Sequence, residues 1–198
     1  MAEVGHRKRR ILIIGHSFIR RLDAFVESRT ESASGRVVSR DFWLENTDVK
    51  WMSLSGGKVS NFDQMCKALP TVDDVYLELG SNDLCELFWE PEIVALRIVG
   101  MASVIRNRAN ARHIIVGEPL PRVFNPPNIP YNQCLGRYLD ALRHEVANTP
   151  HMSTWAHVRL VNRHCPEYFA KDGHHLSPYG MYLHFKSIRG ALTATKGI

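Results

Sequence analysis

Arg10-Ile11-Leu12-Ile13-Ile14-Gly15-His16-Ser17-Phe18-Ile19-Arg20-Arg21-Leu22-Asp23-Ala24-Phe25-Val26 is the stretch that decides the fold. Its first half is a continuous apolar run that stops at glycine, the pattern of a strand covered on both faces. Its second half changes period. Phe18, Ile19, Leu22, Phe25 and Val26 share one face at helical spacing, while Arg20, Arg21 and Asp23 fall on the other. A buried strand that feeds directly into an amphipathic helix is the repeating unit of parallel sheets.

The alternation continues along the chain. A second strand is expected within Val37 to Leu44 or Val49 to Leu54, as one strand with a bulge or as two. Val75 to Leu79 is the clearest of the strands. Glu90 to Asn110 reads as a long helix, with Pro91 at a position that tolerates proline and with Ile93, Leu96, Ile98, Val99, Val104 and Ile105 on its buried side. His113 to Val116 is a fourth strand, followed by a proline-rich loop from Pro119 to Pro130 that continues neither helix nor sheet. Tyr131 to Asn148 reads as a helix, Val158 to Val161 as a short fifth strand and Ser177 to Leu192 as a closing helix. This order predicts an α/β protein, a three-layer α/β/α sandwich around a five-stranded parallel sheet with right-handed crossovers.

Composition agrees. Of 198 residues, 44% are hydrophobic and 23% charged, which excludes a disordered tail, a collagen repeat or a coiled-coil rod. No apolar run approaches the roughly 20 residues that cross a bilayer. Residues 1–10 are expected to be a basic leader and 11–198 one domain, with no export signal. Cys66, Cys85, Cys134 and Cys165 stand far apart, as reduced thiols of a cytoplasmic or nuclear protein would. The net charge of +5 is local: residues 1–40 hold nine Lys/Arg against four Asp/Glu, and the remainder sixteen against sixteen. Arg7, Lys8, Arg9 and Arg10 form its densest part and are a candidate contact for nucleic acid.

Parallel sheets bind ligands at the carboxyl ends of their strands, and four fragments fall there. Ser17 sits at the mouth of the first helix, where backbone N–H groups stabilise negative charge, although serine is also a favoured N-cap. Gly56 and Gly57 form a turn in Ser55-Gly56-Gly57-Lys58 whose amides can approach a ligand closely. Asn82, in Gly80-Ser81-Asn82-Asp83, offers an amide donor, with capping as its alternative. Asp172-Gly173-His174-His175 places a carboxylate three residues before an imidazole that it can orient.

Together these four blocks resemble the SGNH (GDSL-like) hydrolase family, from Ile11 to about Leu192, with Ser17, Gly56, Asn82 and His175 at the positions that name it. The resemblance implies a flavodoxin-like sandwich and metal-independent hydrolysis of esters through an acyl-enzyme. Ser17 would be the nucleophile, His175 the base and acid, and Asp172 its partner. The Ser17 and Gly56 amides and the Asn82 side chain would form the oxyanion hole. His16, Gly57, Asp83, Phe124 and His174 are candidate substrate contacts, and Arg122 and Phe124 with the segment Leu84 to Trp89 are candidate walls of an acyl pocket. His16 replaces the family's aspartate before the serine, which brings an imidazole beside the nucleophile. Variants with histidine there look like domains encoded by transposable elements, so a rival expectation is a weak or inactive binding module that holds nucleic acid or a partner through its basic start. Zinc on His16, His164, His174 and His175 lacks supporting spacing, and no cofactor or metal is expected.

Overall fold

The computed structural model describes residues 7–28, 38–61, 66–86, 88–161 and 166–195. Its elements run β1 (Arg9–Gly15), α1 (Ser17–Glu27), β2 (Thr47–Ser53), β3 (Asp74–Glu78), α2 (Pro91–Ala109), β4 (His113–Gly117), α3 (Tyr131–Ala147), β5 (Met152–Trp155) and α4 (Pro178–Ala194). The five strands form one parallel sheet in the order β2-β1-β3-β4-β5.

Alternate side chains of a strand point to opposite faces, and β1 shows what that requires of the sequence. Leu12 and Ile14 face one core, packed with Val75, Leu77, Ile114 and Val116 against α2 and α3. Ile11 and Ile13 face the other, with Tyr76 and Ile115 against α1 and α4. All four β1 residues are fully buried, each worth about 1.5–3 kcal/mol relative to exposure. This is the sandwich the sequence predicts, with helices on both faces.

One open expectation is settled and two are corrected. Of the two candidate second strands, the later one forms. Residues 40–43 turn, Trp43 N–H and Ser39 Oγ–H bond to Asp41 Oδ1, and Phe42 and Trp43 adopt positive φ. The apolar character of that segment comes from Phe42, which stacks on Trp51 and Phe185 rather than lying in a strand. The fifth strand is Met152–Trp155, not 158–161; Val158 and Val161 are exposed, and Leu160 N–H closes a turn on the His157 carbonyl. On α2, Ile98, Val99 and Ile105 are buried as expected, while Ile93, Leu96 and Val104 face outward.

The basic start is divided. Residues 1–6 lie outside the described residues, and Arg9 and Arg10 belong to β1. Arg9 bonds Asp74 at 2.6 Å and the Leu192 carbonyl at 2.7 Å, and Arg7 pairs with Asp73 at 3.1 Å. Cys165 and His164 also fall outside the described residues. No described helix is long and apolar enough to cross a membrane.

Candidate active site

The first block is built where β1 hands over to α1. His16, not Ser17, caps that helix: its Nδ1 accepts the Phe18 N–H at 3.3 Å. Ser17 is the first helical residue, 8% exposed, and its Oγ makes no hydrogen bond with any described residue. The capping explanation for this serine therefore falls away. Burial pushes His16 down to about 4, against the pull of the Glu78 carboxylate and with help from His184, Arg122 and His174. The imidazole is neutral at neutral pH, so it brings no positive charge beside Ser17. With Nδ1 accepting, the proton sits on Nε2, which is buried and without a partner among the described residues.

The second and third blocks are stapled together. Leu54 N–H donates to the Gly15 carbonyl, and Gly57 N–H is taken by Leu54 O, while the Gly56 N–H meets no acceptor among the described residues. Asn82 precedes the turn Asp83–Cys85 without capping it; its Nδ2 donates to Gly57 O at 3.0 Å, leaving the second amide hydrogen. Asp83 is buried, which raises its carboxyl, and accepts the Val59 N–H. A Lys58–Glu86 ion pair closes the outer side. Gly80 is required here: its φ is +102°, and a Cβ would meet the Tyr138 hydroxyl at 2.9 Å.

The fourth block is a turn locked by one carboxylate. Asp172 Oδ2 lies 2.7 Å from His175 Nδ1, and Oδ1 accepts the N–H groups of His174 at 3.0 Å and His175 at 2.8 Å. Burial alone would raise this carboxyl, but those bonds hold it far below the usual range. Gly173, at φ +68°, has no room for a Cβ because the Phe124 ring packs on it. The His174 ring lies 3.7 Å from that of His175, and burial, His175 and Arg122 lower His174 to about 4.

Phe18 brings the blocks together, with its ring 5.4 Å from that of His16 and 6.0 Å from that of His175. Ser17 and His175 are not hydrogen-bonded to each other, a common state of such pairs without substrate. Donation by Nδ1–H to Asp172 leaves His175 Nε2 as the acceptor.

Sequence reading missed a buried network beneath these residues. Glu78, at the end of β3, accepts from Tyr76 at 2.9 Å and from His184 Nε2 at 2.9 Å, with His157 Nε2 3.4 Å away. Burial raises the Glu78 carboxyl, but His184 and His157 bring it well below its ordinary value. The available signal was a carboxylate closing an otherwise apolar strand. Glu78, His157 and His184, and separately Asp172, His174 and His175, hold potential metal-ligand atoms within 4.8 Å of one another. Within them Glu78 bonds His184 and Asp172 bonds His175, while His157 Nε2 bonds the Tyr76 hydroxyl.

No protein-family model matches the chain, and no curated protein matches it in sequence. Solved structures do match. A member of the lipolytic G-D-S-L family from Veillonella parvula superposes with TM-score 0.68 at 14% identity, covering 93% of this chain and 98% of its own. A putative acylhydrolase from Bacteroides fragilis gives 0.73 at 16%, covering 94% and 88%. The acetylxylan esterase Axe2 from Geobacillus stearothermophilus gives 0.64 at 11%, covering 92% and 93%. The chain has the SGNH (GDSL-like) hydrolase fold.

Proposed function

We propose that this chain is a serine-dependent ester hydrolase that acts on short acyl esters, acetyl esters among them, through Ser17, His175 and Asp172. The observation that carries the reading is the 2.7 Å contact of Asp172 with His175 Nδ1, on a turn whose second histidine stands beside the Ser17–Phe18 helix start. A Ser17 hydroxyl and a Gly56 N–H that meet no partner among the described residues support it.

The chemistry follows from these positions. His175 Nε2 takes the Ser17 Oγ proton as the oxygen attacks the ester carbonyl carbon. The resulting oxyanion accepts hydrogen bonds from the Ser17 and Gly56 N–H groups and from the free amide hydrogen of Asn82. His175 then gives its proton to the leaving alcohol oxygen, and Ser17 keeps the acyl group. Water, deprotonated by His175, repeats the attack and releases the acid. Asp172 stays ionised and stabilises the imidazolium. Phe124, His174 and Gly57 serve as walls of the substrate site, and Asp83 acts indirectly by holding the 57–59 turn.

The acyl class rests on the named neighbours, a putative acylhydrolase and an acetylxylan esterase. Hydrolysis of p-nitrophenyl acetate tests the whole reading. Ser17→Ala is expected to lower turnover by about 10⁴-fold or more. Equal rates from both proteins would refute it. The rival reading, a binding module using Arg7, Lys8, Arg9 and Arg10 on nucleic acid, draws less support because Arg7, Arg9 and Arg10 each meet an aspartate.

A further inference from the structure

Arg122 is the one arginine among the described residues that is buried, 8% exposed, and it makes no ion pair with any described carboxylate. A buried guanidinium without a counter-charge is costly and persists where a ligand supplies the charge. Its placement is built. The side chain of Asn132 clasps the Arg122 backbone from both directions, accepting its N–H at 2.9 Å and donating to its carbonyl at 2.8 Å. The guanidinium carbon lies 4.2 Å from the centre of the Tyr131 ring. The next residue, Val123, donates to the Gly173 carbonyl at 2.8 Å, so the arginine is moored to the turn that carries Asp172 and His175.

The Arg122 side chain hydrogen-bonds Cys85 and Tyr131, which burial keeps neutral, so these partners supply no counter-charge. His16, its electrostatic neighbour, presents a buried Nε2–H with no partner among the described residues. His174 is lowered by burial, by His175 and by the same guanidinium. From this geometry we infer that Arg122 is a specificity determinant, and that the substrate is an ester carrying a negatively charged group, a carboxylate or an equivalent oxyanion, which Arg122 binds beside Ser17. This rests on the esterase reading for the word substrate, although the anion site itself does not depend on turnover. The planar fork of arginine suits two oxygens of one such group better than a lysine would.

The test is binding to the Ser17→Ala protein, in which an ester is not consumed. Monomethyl succinate carries its charge on the acyl side, O-acetylglycolate carries it on the alcohol side, and dimethyl succinate is the neutral control. Titration calorimetry is expected to show one charged ester binding at least about tenfold tighter than the neutral one, and the tighter of the two tells which side of the ester faces Arg122. Arg122→Gln is expected to erase that preference, and Arg122→Lys to retain part of it. Equal affinity for charged and neutral esters in the protein that keeps Arg122 overturns the inference without recourse to any Arg122 variant. So does a preference that survives Arg122→Gln. Failure of the esterase reading shows separately, as ester turnover indifferent to Ser17→Ala.

Discussion

The imidazole of His16 accepts the backbone N–H of Phe18, and in doing so it caps α1 and leaves the intervening Ser17 hydroxyl uncommitted. Histidine at position 16 thus performs work that an aspartate is equally suited to, accepting at a helix N-terminus. The difference lies in charge. His16 is neutral and fully enclosed, and its folded state resists protonation.

That resistance makes stability depend on pH with a definite sign. In the unfolded chain His16 binds a proton near 6.5, and in the folded chain near 4. Between those values the unfolded state holds more protons, so stability falls as pH drops from 6.5 to 4 and is fully present above 6.5. The contribution is about 3 kcal/mol for His16, with His174 acting in the same direction. His16→Asn keeps an N-cap acceptor and removes the titration. Urea unfolding between pH 4 and 7 should give a flatter dependence for that variant, and parallel curves would count against the assignment.

Activity should show few ionisations over the same interval. His16 and His174 are neutral above pH 5, and Asp172 is ionised throughout. None of these three groups should therefore add an ionisation to the pH profile of ester hydrolysis, whose slope on a logarithmic plot should not exceed one. A steeper limb, measured with p-nitrophenyl acetate from pH 5 to 8, would mean that one of these groups titrates there.

Asn82→Ala removes the amide hydrogen proposed for the oxyanion and also the tie to Gly57. The expected loss is about 10²- to 10³-fold in kcat with little change in KM. A large rise in KM at unchanged kcat would assign Asn82 to ground-state binding instead.

Arg9→Ala takes from Asp74, nearly buried, its 2.6 Å partner and leaves only the 4.0 Å contact with the exposed Arg112. A loss of about 3–5 kcal/mol in unfolding free energy is expected, far more than an exposed leader residue would give. Chemical denaturation decides it, and a change within about 0.5 kcal/mol would return Arg9 to the solvated surface. For the same reason a deletion that tests nucleic-acid binding should end at residue 6, ahead of Arg7, whose side chain reaches Asp73, and of β1.

Much of the fold was legible because β1, β3 and β4 are covered on both faces and read as unbroken apolar runs. The edge strand β5 was not, since Met152-Ser153-Thr154-Trp155 buries only its first residue and has neither period. Val158 and Val161 misled because an apolar turn and a short strand look alike in sequence. The four candidate blocks were readable since each is a contiguous motif, three of them just after β1, β2 and β3 and the fourth in the loop ahead of α4. Glu78, His157 and His184 were not, for they meet from segments up to 106 residues apart, and no local pattern announces them.

The hydrogen bond from Val123 to Gly173 makes the loop after β4 and the histidine-bearing turn a single mechanical part. A displacement that lifts Phe124 off Gly173 would carry His175, the proposed general base, away along with Arg122. If Ser17 and His175 act as proposed, admitting a substrate by that movement and holding the proton acceptor in place would exclude each other, every turnover would include a closing step, and solution viscosity would become a lever on the rate.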